Sequence, residues 1–222
     1  MKQYVIIVAG GKGLRMGAII PTQFLEMKGK AIILHTLEKF KEALPSAELL
    51  LVLPQAEMPR WEKIAAGTNF EQIQLANGGS SRFESVQAGL RLITSNGIVG
   101  VHDAVRPFVS IETIRRVFNA AKEKGAAIPV VELKDSIRKV EVDNSEAVDR
   151  SNFRMVQTPQ CFKVSILKEA YQHSLKELFT DDASVVEANG TKVSLVEGNY
   201  ANIKITTSED LKIGEALLNL NY

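Results

Sequence analysis

Five-residue apolar runs recur along the chain, separated by stretches whose apolar positions return every three or four residues. Residues 4–8, 49–53, 98–102 and 127–131 are short and rich in Val, Ile and Leu, which predicts buried parallel strands. Residues 72–76 predict another, leading into the turn Asn77-Gly78-Gly79-Ser80. Helical periodicity spans residues 31 to about 43, 58–66, 81 to about 94, and 111–124, the last stopped by Gly125. Strand and crossover helix in repeated alternation specify an α/β fold, a Rossmann-like, doubly wound and mostly parallel sheet with helices on both faces. Such sheets bind ligands beyond the carboxyl ends of their strands. That rule places residues 9–17, the turn at 77–80 and Asp103 on one rim.

The alternation breaks after Val131. Residues 135–142 alternate polar and apolar side chains, Asp143-Asn144-Ser145 is a turn signal, and residues 146–150 return. This predicts a projecting β-hairpin arm over about 134–152, too polar on one face to enter the core. An isolated hairpin is marginal alone. Two outcomes fit the pattern: packing on a second copy of the chain, as a homodimer, or a hairpin washed by solvent. Beyond the arm we expect a strand at 156–158, a helix from Val164 to about 175, a short helix near Asp182, a strand at 192–197 and a closing helix capped by Ser208. Without repeats, low-complexity stretches or linkers, residues 1–222 read as a single domain plus its arm.

Composition narrows the partners. Among 222 residues, 45% are hydrophobic and 24% charged, with a formal net charge of +1. Neither nonspecific nucleic-acid binding nor a polybasic membrane surface is expected from that balance. Cys161 is the one cysteine, so neither an internal disulfide nor a thiolate metal cage can form, and it reads as a buried thiol. The absence of a signal-like start or a long apolar run leads us to expect a cytoplasmic protein.

The candidate chemistry starts where the first strand empties into Ala9-Gly10-Gly11-Lys12-Gly13-Leu14-Arg15-Met16-Gly17. Bare amides in a glycine turn can cradle a polyphosphate, and Arg15 adds a fixed charge beside them. The P-loop pattern fails, because Gly13 is followed by Leu14-Arg15 rather than Lys and a hydroxyl residue. The dinucleotide fingerprint fails by one residue, since Gly11 to Gly17 reads G-x-G-x-x-x-G. A third pattern fits at every place: a small-residue pair followed by G-x-G-x-R-M, the signature loop of nucleotidyltransferases.

Nine motifs in order carry a nearly end-to-end resemblance. They are residues 9–16, 21–25 (PTQFL), 78–82 (GGSSR), 85–90 (SVQAGL), 101–107 (VHDAVRP), 149–150 (DR), 158–160 (TPQ), 180–184 (TDDAS) and 202–206 (NIKIT). Together they resemble the 2-C-methyl-D-erythritol 4-phosphate cytidylyltransferases of non-mevalonate isoprenoid biosynthesis. The ribitol-5-phosphate cytidylyltransferases share most of these motifs and stand as the alternative.

The resemblance implies a magnesium-dependent transfer of the cytidylyl group of CTP to a polyol phosphate, with release of pyrophosphate. It assigns Ala9, Gly10, Gly11, Gly13, Gly79, Ser80, Arg82 and Ser85 to the nucleotide. Arg15 and Lys204 would stabilise the charge on phosphorus. Asp103 would hold Mg2+ and meet the substrate. Arg106, Ser136, Arg150 and Thr158 would contact the polyol phosphate, Arg150 reaching from the arm into a neighbouring subunit. From the residues alone, an Asp103–Arg106 loop salt bridge and a Ser85 hydroxyl bonded to the preceding turn are the plain structural alternatives. His102 reads as packing or satisfying backbone.

Thr22 departs from the family pattern, which has lysine at this catalytic place. Either Lys12, Lys28 or Lys30 compensates, or turnover is slower, or the chain is a weakened CTP-binding homologue.

Overall fold

The computed structural model describes residues 1–10, 20–173 and 179–220. The first strand, β1 (Lys2–Val8), alternates its buried side chains between two faces of the sheet. Val5 and Ile7 join one apolar cluster, and Tyr4 and Ile6 the other. A two-stranded ribbon, β2 (Glu26–Met27) and β3 (Lys30–Ala31), precedes α1 (Ile32–Ala43). The series continues with β4 (Glu48–Leu53), α2 (Met58–Ala65), β5 (Gln74–Asn77), α3 (Arg82–Leu92), β6 (Gly97–Asp103), α4 (Ile111–Lys124) and β7 (Ala126–Glu132).

Local chemistry sets several of these boundaries. The Ser110 hydroxyl accepts the Thr113 amide and starts α4. Gly125, at φ +94°, ends it in a backbone conformation that side-chain-bearing residues resist. Every residue of β6 is buried, as expected of a central strand covered on both faces.

The arm follows as β8 (Ile137–Val140) and β9 (Ser145–Val148), which pair only with each other. Then come β10 (Arg154–Val156), β11 (Gln160–Lys163), α5 (Val164–His173), α6 (Asp182–Ala188), β12 (Ser194–Glu197) and α7 (Ser208–Asn219). The main sheet runs β10-β7-β11-β6-β1-β4-β5, with β12 also paired to β7. Strands β6-β1-β4-β5 are parallel neighbours, while β11 is antiparallel to both β6 and β7.

Two boundaries shift for a visible physical reason, and a third lies outside the described residues. The strand expected at 156–158 lies at Arg154–Val156, because Gln157 and Thr158 turn their side chains into hydrogen bonds at the rim. The closing helix is capped by Thr207 rather than Ser208. Asp210 sits three residues after Thr207 and completes a reciprocal capping box, whereas Ser208 is followed at that spacing by Leu211. The helix expected to reach about 175 is described as far as His173.

The sheet separates two apolar layers. One holds Leu37, Phe40, Trp61, Val117 and Phe118; the other holds Phe83, Val86, Phe162, Leu167 and Val186. Each fully buried side chain of this size contributes about 1.5–3 kcal/mol relative to exposure. A smaller cluster of Met27, Ile32, Phe108 and Ile205 fastens α7 and the loop before it to the rim. Among the described residues no helix is long and apolar enough to cross a membrane.

Candidate active site

The parallel strands deliver their carboxyl ends to one rim. There Ala9 donates its amide to the Val52 carbonyl, Gly78 to Leu53, and Ala104 to Val8, each within 3.0 Å. The Ala9 carbonyl accepts Gln23 Nε2 at 2.8 Å. Ser85, buried on α3, sits against Gly10 and Gly78: a β-carbon on either would lie 3.4 and 3.0 Å from its Oγ. Its hydroxyl proton is committed to the Ser81 carbonyl at 2.9 Å, so lone pairs remain for a donor. The Ser85-to-turn bond anticipated from sequence is therefore present.

Gly79 has a specific reason to be glycine. A β-carbon there would fall 2.2 Å from the Glu84 Cβ. Ser80 gives both its amide and its hydroxyl to Glu84 Oε2, at 2.8 and 2.6 Å. Glu84 thus brings a carboxylate to a position where the sequence has only a serine. The pattern Ser81-x-x-Glu84 is a capping signal, legible beforehand, although only the Ser81 half of the box forms as expected.

The densest charge lies at the end of β6. Asp103 Oδ2 receives Lys204 Nζ at 3.1 Å and Arg106 Nε at 3.3 Å, and Arg82 Nε stands 3.7 Å from Oδ1. Burial pushes the Asp103 carboxyl up, but Lys204, Arg82 and Arg106 outweigh it and hold the group well below the usual carboxylate range. Arg82 forks onto Asp182 with bonds of 2.9 and 2.6 Å, and the Tyr171 hydroxyl donates to the same carboxylate at 2.6 Å. Asp182 is fully buried and 100 residues from Arg82 in sequence, so no local signal could have paired them.

The anticipated Asp103–Arg106 bridge exists, yet it is one contact of a cluster in which three cations meet Asp103. Arg106 also donates from Nη1 to the Asn202 carbonyl at 2.9 Å. The Lys204 side chain keeps 40% exposure, which leaves its remaining donors open toward solvent. Counting Asp182, two carboxylates face three cations, and the cluster carries a surplus positive charge suited to an anion.

Sequence comparison fits this arrangement. The family model of 2-C-methyl-D-erythritol 4-phosphate cytidylyltransferase matches residues 3–220. The chain belongs to that family. A curated 2-C-methyl-D-erythritol 4-phosphate cytidylyltransferase from Bacteroides thetaiotaomicron is 51% identical over 219 residues, covering 98% of this chain and 100% of that protein. The crystal structure of the same-named enzyme from Thermus thermophilus superposes with a TM-score of 0.82 at 34% identity, covering 99% and 100% of the two chains. A 4-diphosphocytidyl-2C-methyl-D-erythritol synthase structure from Anaerococcus prevotii gives 0.85 at 29% identity, covering 98% and 96%. The chain is accordingly a nucleotidyltransferase of the cytidylyltransferase type, with the mostly parallel α/β sheet of these enzymes.

Within the cytidylyltransferase frame, the structure gathers Asp103, Arg106, Lys204, Arg82 and Thr158 at one end of the rim, and Ala9, Gly10, Gly79, Ser80 and Ser85 at the glycine turns. Gly11, Gly13 and Arg15 lie outside the described residues, as does Lys12. Thr22 is buried in a one-turn 3-10 helix, Thr22–Phe24, beside the Gln23 that holds Ala9. Among its suggested substitutes, Lys30 is bonded to Glu38 at 2.8 Å. Ser136 and Arg150 are exposed on the arm and are not brought to Asp103; the Arg150 guanidinium bonds the Lys134 carbonyl.

From sequence, His102 has a role in packing or in satisfying backbone, and its Nε2 does meet the Arg106 carbonyl at 3.1 Å. Gln157 and the Asn202 side chain carry no such signal. Gln157 bonds the Asn199 carbonyl at 2.9 Å and Asn202 gives its side-chain amide to the Thr158 carbonyl at 2.8 Å, so both fasten the loop that carries Lys204. Burial pushes the His102 imidazole down to about 4, so it is neutral at pH 7.

The residues fit magnesium in one way only. Among the described residues no group of three or more His, Cys, Asp and Glu could hold a metal ion. Asp103 Oδ2 is taken by two cations, and Oδ1, with Arg82 at 3.7 Å, is the oxygen able to face another ligand. One carboxylate oxygen plus phosphate oxygens and water is a habitual magnesium set. The fit is to a metal carried in on the triphosphate.

Proposed function

We propose that the chain joins CTP to 2-C-methyl-D-erythritol 4-phosphate in non-mevalonate isoprenoid biosynthesis, releasing pyrophosphate, and that the two halves of the rim divide the two substrates. An acceptor phosphate oxygen attacks the α-phosphorus in line. The new O–P bond forms as the bond from the α-phosphorus to the bridging oxygen breaks, and the electron pair leaves with pyrophosphate. A phosphate monoester dianion is already nucleophilic, so the site needs no covalent intermediate. Its work is to bring two polyanions together and offset the charge that builds at phosphorus.

The glycine turns with Gly10, Gly11, Gly13 and Gly79, and the Ser85 lone pairs, would take the nucleotide. Cytosine presents an amino donor beside two acceptors, which suits a rim of backbone groups and one acceptor hydroxyl. Glu84, through Ser80, would face the ribose. Lys204 and Arg106, anchored on Asp103, would meet the acceptor phosphate and the α-phosphate, with Arg15 on the leaving oxygens. Magnesium, held through Asp103 Oδ1 when bound, would offset triphosphate charge. The observation that carries this reading is the cationic surplus around Asp103 at the carboxyl end of β6. Pyrophosphate release is expected from CTP, magnesium and methylerythritol phosphate; a greater rate with ribitol 5-phosphate would overturn the acceptor assignment.

Thr22→Lys is expected to raise kcat by about tenfold or more, since one preorganised cation is worth roughly 10²–10³ in rate. A lysine at this buried turn can extend its ammonium toward the rim. Unchanged turnover would show that another cation already holds the role.

The arm supports a homodimer in which Ser136 and Arg150 serve the partner's site. Several of its apolar residues stand exposed: Val142 is 99% and Val140 76% exposed, and Phe153, Met155 and Val156 just beyond it are each over 40% exposed. Single exposed apolar residues are ordinary, and five on the arm and its base favour an interface there. Glu132 and Arg154 are cross-strand partners, so the arm can be excised there. Deleting residues 134–152, with Leu133→Asn and Phe153→Gly supplying a two-residue turn, should halve the mass seen by size-exclusion with light scattering. An unchanged mass would end the dimer proposal.

A further inference from the structure

The His102 ring takes part in a closed circuit of hydrogen bonds. Its Nε2 lies 3.1 Å from the Arg106 carbonyl, and its Nδ1 lies 3.0 Å from Thr158 Oγ1. A carbonyl only accepts, so Nε2 carries the proton and Nδ1 accepts from the Thr158 hydroxyl. That hydroxyl in turn accepts the Asp103 amide at 3.2 Å. The Thr158 carbonyl takes Asn202 Nδ2 at 2.8 Å, and the Asn202 carbonyl takes Arg106 Nη1 at 2.9 Å. The circuit therefore runs from His102 to Arg106, Asn202, Thr158 and back to His102, and joins three separate stretches of chain.

Arg106 is held at both ends, by its carbonyl and by its guanidinium. The imidazole itself is fixed by an edge-on contact with Phe40, 4.8 Å between centroids. One further feature indicates that the circuit is set for geometry. Asn202 turns Nδ2 toward the Thr158 carbonyl, and among the described residues its buried Oδ1 meets no donor. A buried acceptor left unpaired is destabilising. Turning the amide over would set Oδ1 against the Thr158 carbonyl and open the circuit.

We propose that His102 is a positioning residue for acceptor capture. Through Thr158 and the Arg106 carbonyl it fixes the Arg106 guanidinium and the Asp103 turn relative to Lys204. The proposal rests on the reading that Arg106 meets the acceptor phosphate. Thr158, expected from the family resemblance to touch substrate, directs its proton to His102 and keeps one lone pair for a substrate donor.

The amide side chains separate the two arms of the ring. Gln places a donor near the Nε2 position, and Asn places an acceptor near the Nδ1 position. His102→Gln should keep the Arg106 contact and an acceptor KM within about threefold of wild type. His102→Asn and His102→Leu should raise the acceptor KM by about tenfold or more, with the KM for CTP within about twofold. Because His102 acts through Arg106, adding His102→Asn to Arg106→Ala should worsen the acceptor KM no further than Arg106→Ala alone. Thermal melting of each variant accompanies the kinetics, and if the Leu variant does not fold, the Gln and Asn pair carries the comparison. Equal acceptor KM in wild type, Gln and Asn variants, or penalties that add in the double variant, would overturn the proposal alone. An Arg106→Ala enzyme with an unaltered acceptor KM would instead overturn the assignment of Arg106, and the proposal with it.

Discussion

Lys204→Ala should lower kcat/KM for cytidylyl transfer by about 10²–10³-fold, the usual cost of removing one preorganised cation from a charged transition state. The argument starts from placement. Lys204 sits in the loop between β12 and α7, held by Ile205 in the Met27–Phe108 cluster and by Gln157 and Asn202 from beside. Its ammonium is fixed at 3.1 Å from Asp103 and is still 40% exposed. A cation restrained at one side and open at the other loses little entropy when an anion arrives. Stability should change far less than rate, because Arg106 and Arg82 continue to offset the Asp103 charge. Lys204→Arg should recover only part of the loss, since a planar fork replaces a point charge. Steady-state kinetics with pyrophosphate detection decides the matter. A loss under about threefold would remove Lys204 from the reaction.

The largest stability effect should come from Asp182→Ala. This carboxylate is fully buried and accepts two bonds from Arg82 and one from Tyr171. Deleting it leaves a guanidinium and a phenol without their acceptor, and breaking a buried pair from one side costs about 3–5 kcal/mol. For a chain of this size that corresponds to a fall in Tm of about 10 °C. Among the described residues Arg82 would retain Asp103 as its ionic partner, so turnover should change as well. Calorimetry on the variant is the measurement, and a melting temperature equal to wild type would show that the fork contributes specificity alone. Gln160 is a sensible control. Its Oε1 accepts the Asp182 and Ala183 amides at 2.9 Å, so Gln160→Ala loosens the start of α6 while the Arg82 fork remains.

The legible part of the fold was the part with strong period. The all-buried runs of β1, β4, β6 and β7 and the capped, glycine-stopped α4 could be placed from residue pattern to within a residue or two. Strand β11 was not, because four residues leading straight into a helix carry no period of their own. Its identity comes from pairing on both sides, with β6 and with β7. The β2–β3 ribbon has two residues on each side and is equally silent.

In the candidate site, single residues that must be of one type were visible, such as Gly79 and Asp103. Their partners were not. Asp182 reaches Arg82 across 100 residues, and Asn202 reaches Arg106 across 96. Ser80 reads as an ordinary hydroxyl until Glu84 folds back onto it. Long-range pairing of this kind is decided by the closed fold, and no local pattern encodes it.

The antiparallel course of β11 has a consequence for biosynthesis. A strand running against its neighbours brings its beginning, not its end, to their carboxyl edge, so Thr158 meets Asp103 there and the Lys204 loop closes over both. A nascent chain therefore acquires its glycine turns within the first 80 residues, long before the ribosome has translated Lys204. Premature termination after the glycine turns but before the Lys204 codon would release a polypeptide that lacks this cation.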